Sequence, residues 1–319
     1  MVEAQSYSEK LETLSEGSVR VAFNAFTDIA WDDPEFAIDP EDPRWILSGA
    51  DPLGGHPWYQ AQPPERRARI GLARRANTCK VGWQFENMLI KGVLEYLMDR
   101  PDGDPEFRYL MHEITEETHH IQMFAEFIRR SGAKVPGGPL WLRIIQSAIP
   151  VTARLRPAVF FTSVLAGEEP VDHMQKAVLR AGGEGHPLMR RIMQIHVAEE
   201  ARHISFAHEY LARTVPALPR YRRIALSLLL PFIMRIACDV IVVPSRTFTR
   251  TYGIPRRVIK DLYWDQESSK KMLRDLFADV RMLAEEAGLM NPVSRRVWKA
   301  LGIDGRPSRF RAEPAPQSP

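Results

Sequence analysis

At 319 residues the chain is long enough to bury a sizeable core, as one large domain or two small ones. Its 45% hydrophobic and 26% charged content is that of a folded, soluble protein, and a formal net charge of +3 with no basic tract interleaved with aromatics argues against nucleic-acid binding. The 2 cysteines, Cys79 and Cys238, lie far apart in apolar helical contexts and read as reduced core thiols of a cytoplasmic protein, while no basic stretch followed by an apolar one marks a signal peptide.

Residues 1–64 are weakly periodic and rich in Pro, Asp and Trp, as in Trp31-Asp32-Asp33-Pro34 and Asp42-Pro43-Arg44-Trp45. That composition predicts turns and extended chain, an arm wrapped over the body and anchored by Trp31, Trp45, Trp58 and Tyr59. A long helix is predicted from Glu65 to Met98, stopped by Asp99-Arg100-Pro101-Asp102-Gly103. A second runs from about Pro105 to Arg130 and stops at Ser131-Gly132. Pro150 and Pro157 break the next region, leaving a helix over 158–181 that Gly182-Gly183-Glu184-Gly185 ends. A fourth covers 187–214, an apolar helix follows, and further helices are predicted near 264–288 and 292–301. Residues 304–319 are polar and Pro-rich, the composition of a disordered tail. No strand-like alternation and no solenoid repeat is present. The expectation is an all-α protein with a single helical-bundle domain over 65–303.

The apolar stretch from Ala225 to Val243 is long enough for a membrane span. Pro231, Arg235 and Asp239 interrupt it, and two charges near mid-bilayer are costly. Arg235 and Asp239 stand four apart and can pair on one helix face. A buried bundle helix is the expected outcome, not an integral span.

Chemistry concentrates in two helices. His196, Glu200 and His203 fall at i, i+4 and i+7, one face of the fourth helix, on a line that runs through Met189, Met193, Ala207 and Tyr210. Three ionisable groups inside a core stripe point to a metal. Glu199 and Arg202 fall off this line, toward solvent or behind the ligands. The second helix repeats the pattern in Glu116-Glu117-Thr118-His119-His120. There Glu117 fills a gap in the stripe Leu110, Ile114, Ile121, Phe124 and Ile128, with His120 one turn on; a carboxylate on a core stripe is costly unless paired or metal-bound. The register is doubled, because His112, Glu116 and His119 also fall at i, i+4 and i+7; stripe phase favours Glu117 with His120.

Two helices with Glu-x-x-His, each facing a helix with one inward Glu, are the trace of a carboxylate-bridged di-metal centre in a four-helix bundle. In the first helix apolar neighbours surround Glu86, with Glu95 as competitor. In the third, Glu168 and Glu169 compete, and the phase of Val164, Val171 and Val178 favours Glu168. Carboxylate with imidazole suits iron in both working oxidation states. A His-Glu-x-x-His zinc helix, a nucleophile elbow and a dinucleotide-binding Gly pattern are all absent.

The set Glu86, Glu117-x-x-His120, Glu169 and His196-x3-Glu200-x2-His203 resembles the non-haem di-iron N-oxygenases typified by p-aminobenzoate N-oxygenase, over about residues 70–245. The resemblance implies a ferritin-like bundle, with two iron ions (manganese possible in one position) on seven protein ligands. Its register favours Glu169 over Glu168. Acyl-carrier desaturases, monooxygenase hydroxylases and ribonucleotide reductase radical subunits share the two Glu-x-x-His runs but generally lack the extra His that His196 supplies. The implied activity is O2-dependent oxidation of an arylamine toward hydroxylamine or nitro, with an external electron donor and a homodimeric assembly. A C–H-oxidising di-iron enzyme, an iron-binding protein without turnover and an all-helical interaction protein are the competing readings. Phe160, Phe161 and Trp83 are expected as core, with an apolar substrate tunnel as their second reading.

Overall fold

The structure, a computed structural model, describes residues 6–49, 51–180, 185–311 and 313. Helices α1 (Tyr7–Arg20), α2 (Pro57–Gln60), α3 (Pro64–Leu97), α4 (Pro105–Ser131), α5 (Leu140–Ile145), α6 (Val151–Leu155) and α7 (Pro157–Arg180) make up the first half. The second half holds α8 (Pro187–Thr214), α9 (Arg220–Val242), α10 (Arg246–Thr251), α11 (Arg256–Leu262), α12 (Glu267–Asp275), α13 (Ala278–Glu286) and α14 (Pro292–Ala300). No strand occurs among the described residues, so the chain is all-α as expected.

The long helices start and stop where local chemistry requires. Asp104 caps α4 by accepting from Glu106 N–H with Pro105 in the first turn, and Gly132 ends it at φ 61°, a left-handed conformation that glycine adopts without strain. α3 packs against α4 and α7 against α8, and contacts of α3 with α7 and of α4 with α8 close the four into one bundle. α9 lies along α7, and α14 along α9. The predicted helix over 264–288 is two helices, broken at Leu276 and Phe277, which bury their side chains in the turn.

Residues 7–20 depart from the expected extended arm, since they form α1, packed across α4 and α8. The cause is a capping box: Ser6 Oγ accepts from Glu9 N–H and the Glu9 carboxylate accepts from Ser6 N–H. Of the four aromatic anchors expected in the arm, three are buried. Trp45 is fully buried and stacks on His186 at 3.9 Å, Trp31 Nε1 donates to Ala25 O, and the buried Tyr59 hydroxyl donates to Arg67 O, while Trp58 is half-buried. Residues 304–311 lie against the body, with Ser308 N–H donating to Ala278 O; residue 312 and residues 314–319 of the predicted tail fall outside the described set.

One glycine carries the arm's close approach. A Cβ on Gly71 of α3 would stand 1.9 Å from the backbone carbonyl oxygen of Trp45. Backbone cannot move aside as a side chain can, so Gly71→Ala is expected to lower stability by at least about 1–3 kcal/mol, read from the denaturant midpoint. A variant as stable as the wild type would show that the arm does not rest on α3.

α9 is the one described helix long and apolar enough to cross a membrane, and half of its most apolar window is buried in the fold. Pro231 sits inside it, and Arg235 Nε donates to Asp239 at 3.0 Å as the spacing predicts. Cys79 and Cys238 are free and buried, and burial pushes the Cys79 thiol up to about 12.

Candidate metal centre

The bundle turns the predicted stripes of α3, α4, α7 and α8 toward one point. Glu86, His120, His196 and Glu200 each bring a possible ligand atom within 4.8 Å of the others; so do Glu117, Glu168, Glu200 and His203. Glu200 is common to both groups. Its Oε1 lies 3.4 Å from His196 Nε2, 3.6 Å from His120 Nδ1 and 3.7 Å from His203 Nδ1. Glu117 also reaches both sides, with Oε2 3.1 Å from His120 Nδ1 and Oε1 3.0 Å from His203 Nδ1. Two carboxylates lying between two imidazoles, with Glu86 and Glu168 at the flanks, is the donor arrangement for a pair of cations.

The electrostatics test whether a metal fits. All seven side chains that come together beside the cation positions are buried. Burial, then the charge of Glu117 and Glu200, pushes the Glu86 carboxyl well above the usual range; burial, then Glu200 and Glu113, does the same to Glu168. Burial, against the pull of Glu200, holds His196 down at about 4, so its imidazole is neutral and free to donate a lone pair. Glu86 Oε2, both oxygens of Glu168, Glu200 Oε2 and His196 Nδ1 are buried without a hydrogen-bond partner. Such orphaned atoms are costly in a native core. A bound cation would satisfy the carboxylates among them, so the residues present fit a metal.

A second tier of carboxylates holds the imidazoles. His120 Nε2 meets Glu199 at 2.8 Å and His203 Nε2 meets Glu116 at 2.7 Å. In each helix the first Glu of the doubled pair therefore grips the His of the other helix, and both Nδ1 atoms face the centre. Burial opposes a charged ring, but hydrogen bonds to Glu117 and Glu199 push His120 up to about 10. Arg202 Nη2 donates to Glu116 at 2.8 Å, and Phe23 N–H donates to Glu199 at 3.2 Å, tying the arm to the centre. Removing this grip by Glu199→Ala is expected to weaken iron retention on dialysis by about 10–100-fold, with Glu199→Gln milder because its amide oxygen still accepts. Equal retention in both variants and wild type would refute the orienting role.

Of the predicted ligands, Glu86, Glu117, His120, His196, Glu200 and His203 come together, and Glu169 does not. Glu169 Oε1 is bonded to His208 Nε2 at 2.5 Å, on the side of α7 that faces α8. Glu168 takes the position instead. One residue is about 100° of helix rotation, and the cavity-facing line of α7 is Val164, Glu168, Val171, as its aliphatic phase predicts. The structure thus brings Glu168, which the aliphatic phase favours, to the cluster, and sets Glu169, which the resemblance favours, against His208. The competing His119 is half-buried, its Nδ1 accepting from Ala25 N–H, and Glu95 stands outside the centre.

Three further carboxylates take part. Glu116, the alternative to Glu117 in the doubled register, and Glu199, expected toward solvent or behind the ligands, both grip an imidazole of the opposite helix. Glu113 is the one that the sequence pattern does not single out. It lies one turn before Glu117, buried, and burial opposed by His203 leaves its carboxyl up at about 8. It shares the stripe of Leu110, Ile114 and Glu117.

A cavity of ≈ 680 Å³ opens onto Glu86, Glu117, Glu168, His196 and Glu200 and is otherwise mostly apolar. Phe160 lines it; Phe161 is fully buried core, and Trp83 is half-buried with Lys80 Nζ 3.1 Å from its ring centroid.

A helical bundle whose core holds two overlapping clusters of buried carboxylates and imidazoles defines the ferritin-like class of metal proteins. The family model of p-aminobenzoate N-oxygenase AurF matches residues 4–288, and the chain belongs to that family. It is also similar to uncharacterized protein Mb0909 of Mycobacterium bovis and uncharacterized protein Rv0885 of Mycobacterium tuberculosis, each 54% identical over 311 residues, covering 98% of this chain and 92% of the relative.

Proposed function

We propose that the protein is a di-iron oxygenase that uses O2 to oxidise an aromatic amine toward a hydroxylamine or nitro product. The observation that carries this reading is the position of His196 beside Glu86 and Glu200, at the end of a large apolar cavity. Glu86, Glu117, Glu168, Glu200, His120, His196 and His203 would hold two iron ions, with manganese possible in one position. When bound, the ions supply O2 activation and two-electron oxidation.

The chain's own residues do the rest. Glu117 and Glu200 lie between both imidazole sides, so they can shift between binding modes as charge changes. Glu116 and Glu199 keep the Nε2 protons of His203 and His120 engaged and their Nδ1 atoms inward. Glu113 lies buried one turn from Glu117, and burial pushes its carboxyl up to about 8. Phe124, Phe85 and Phe160 wall the cavity and exclude water. Electrons come from an external donor, a homodimer is the expected assembly, and the buried free thiols suit a cytoplasmic setting.

The volume of the cavity favours one second reading, a C–H-oxidising enzyme for a long apolar substrate. Loading the protein anaerobically with ferrous iron, admitting O2 with a panel of arylamines and fatty acyl compounds, and weighing the products by mass spectrometry separates the two. N-hydroxylated or nitro products support the proposal. Carbon-hydroxylated or desaturated products alone overturn it, and iron uptake with no product from either panel favours an iron-binding protein.

A further inference from the structure

Exposed large apolar side chains gather around the cavity mouth. On α5 and α6 Leu140 is 71% exposed, Ile144 74% and Leu155 63%. Facing them across the mouth, α9 turns Tyr221, Leu229, Phe232 and Ile236 outward, spaced along one helix side. The two sets meet at the opening: Trp141, Ile145, Leu229 and Ile236 line the cavity and are each between 40% and 51% exposed. A contiguous apolar patch rimming a cavity marks an interaction surface.

Apart from Asp239 near the end of α9, which pairs with Arg235, the charges of these segments are positive. Between Glu126 and Glu168, and again between Glu209 and Asp239, the chain contains no Asp or Glu. Arg143 on α5, Arg156 after α6, and Arg220 and Arg222 at the start of α9 are exposed, and none is ion-paired to a carboxylate among the described residues. Arg154 is the exception, paired with Asp99 at 2.9 Å. A second copy of the chain would set this patch on itself about a twofold axis, arginine toward arginine, with Asp99 already engaged by Arg154. An anionic bilayer meets both features. Its phosphates attract the arginines, its acyl layer takes the apolar side chains, and Trp141 sits at the polar–apolar boundary that tryptophan favours.

We propose that the face formed by α5, α6 and α9 docks peripherally on an anionic lipid bilayer, holding the cavity mouth against the acyl layer. α9 then lies on the membrane without crossing it, since its other side is packed on α7 and α14. A molecule dissolved in the bilayer reaches the cavity without passing through water. The docking is independent of the oxygenase reading, because binding is measured with or without turnover.

The test is sedimentation of the purified full chain with vesicles of one part phosphatidylglycerol to three parts phosphatidylcholine, against phosphatidylcholine alone. Partitioning onto the anionic vesicles is expected to be at least about tenfold stronger and to fall with added salt. Ile144→Glu and Phe232→Glu, both outside the cavity lining, are each expected to weaken it about tenfold while leaving the circular dichroism melting curve unchanged. The double variant Arg143→Glu, Arg156→Glu is expected to erase the preference for anionic lipid. Tryptophan emission is expected to shift to the blue on binding, and Trp141→Phe to lose that shift. No partitioning onto anionic vesicles, or variants that bind as the wild type does, overturns the proposal. A chain that ignores vesicles but whose dimer falls apart in Phe232→Glu overturns it too, and makes the face a junction between copies.

Discussion

Glu200→Ala is expected to leave the protein unable to hold either iron, whereas loss of a flanking ligand should spare one. Glu200 belongs to both clusters and its Oε1 lies between three imidazoles at 3.4–3.7 Å. Metal content after ferrous loading and desalting should fall from about two to near zero, and any oxygenase turnover by more than about a hundredfold, beyond what loss of an outer partner costs. The side chain is buried among other carboxylates, so its removal also relieves like-charge repulsion in the metal-free state. The apo variant should therefore fold. An unfolded variant would be uninformative about metal, and Glu200→Gln, nearly isosteric, then serves the same measurement. Retention of two irons by a folded variant would refute the assignment.

The paired replacements Glu168→Ala and Glu169→Ala are expected to have opposite phenotypes. Glu168 carries two buried oxygens without partners and flanks Glu117 and Glu200, so its loss should remove one iron and turnover with it. Its loss should cost little stability, or even raise that of the apo protein, because an unpaired buried carboxyl disappears. Glu169→Ala should keep both irons and instead lower stability by about 1–3 kcal/mol, since His208 is left buried without its partner. Iron content and the denaturant midpoint, measured on both variants, decide the matter. Iron loss confined to Glu169→Ala would restore the register drawn from the family resemblance.

Glu168 and Glu169 differ in what their positions along the chain make legible. Helix rotation follows from the chain itself, because each stripe must bury its apolar members, and the line Val164, Val171, Val178 favours Glu168 on the inner side of α7, where the resemblance favours Glu169. The same argument put Glu117 rather than Glu116 with His120, and the structure brings Glu117 within 3.1 Å of His120 Nδ1. Where phase from the residues and register from a resemblance disagreed, phase agreed with the geometry. The partners of the doubled glutamates are not legible, for a different reason. Glu116 and Glu199 lie off the stripe of their own helix, and their partners are on the opposite helix, His203 and His120. Nothing local distinguishes such a residue from one facing water. α1 was missed although its signal was local, the Ser6 and Glu9 capping box, because its first turn lies in a segment otherwise dominated by turn residues.

By itself, then, the sequence determined what depends on neighbours along the chain. Proline, glycine and capping residues set helix limits, spacing set which side chains share a face, and two Glu-x-x-His runs with His196 pointed to a metal centre. Only the tertiary structure decided what depends on how helices face one another: the sharing of Glu200 between two clusters, the crossed grip of Glu116 and Glu199, the burial of Glu113, and a cavity that opens between α5, α6 and α9. The physical reason is that periodicity fixes a helix's inner face but not the angle and depth at which that face meets the next. Distances of 2.8 Å and 3.6 Å from His120 to Glu199 and Glu200, some eighty residues away, are set by that docking alone.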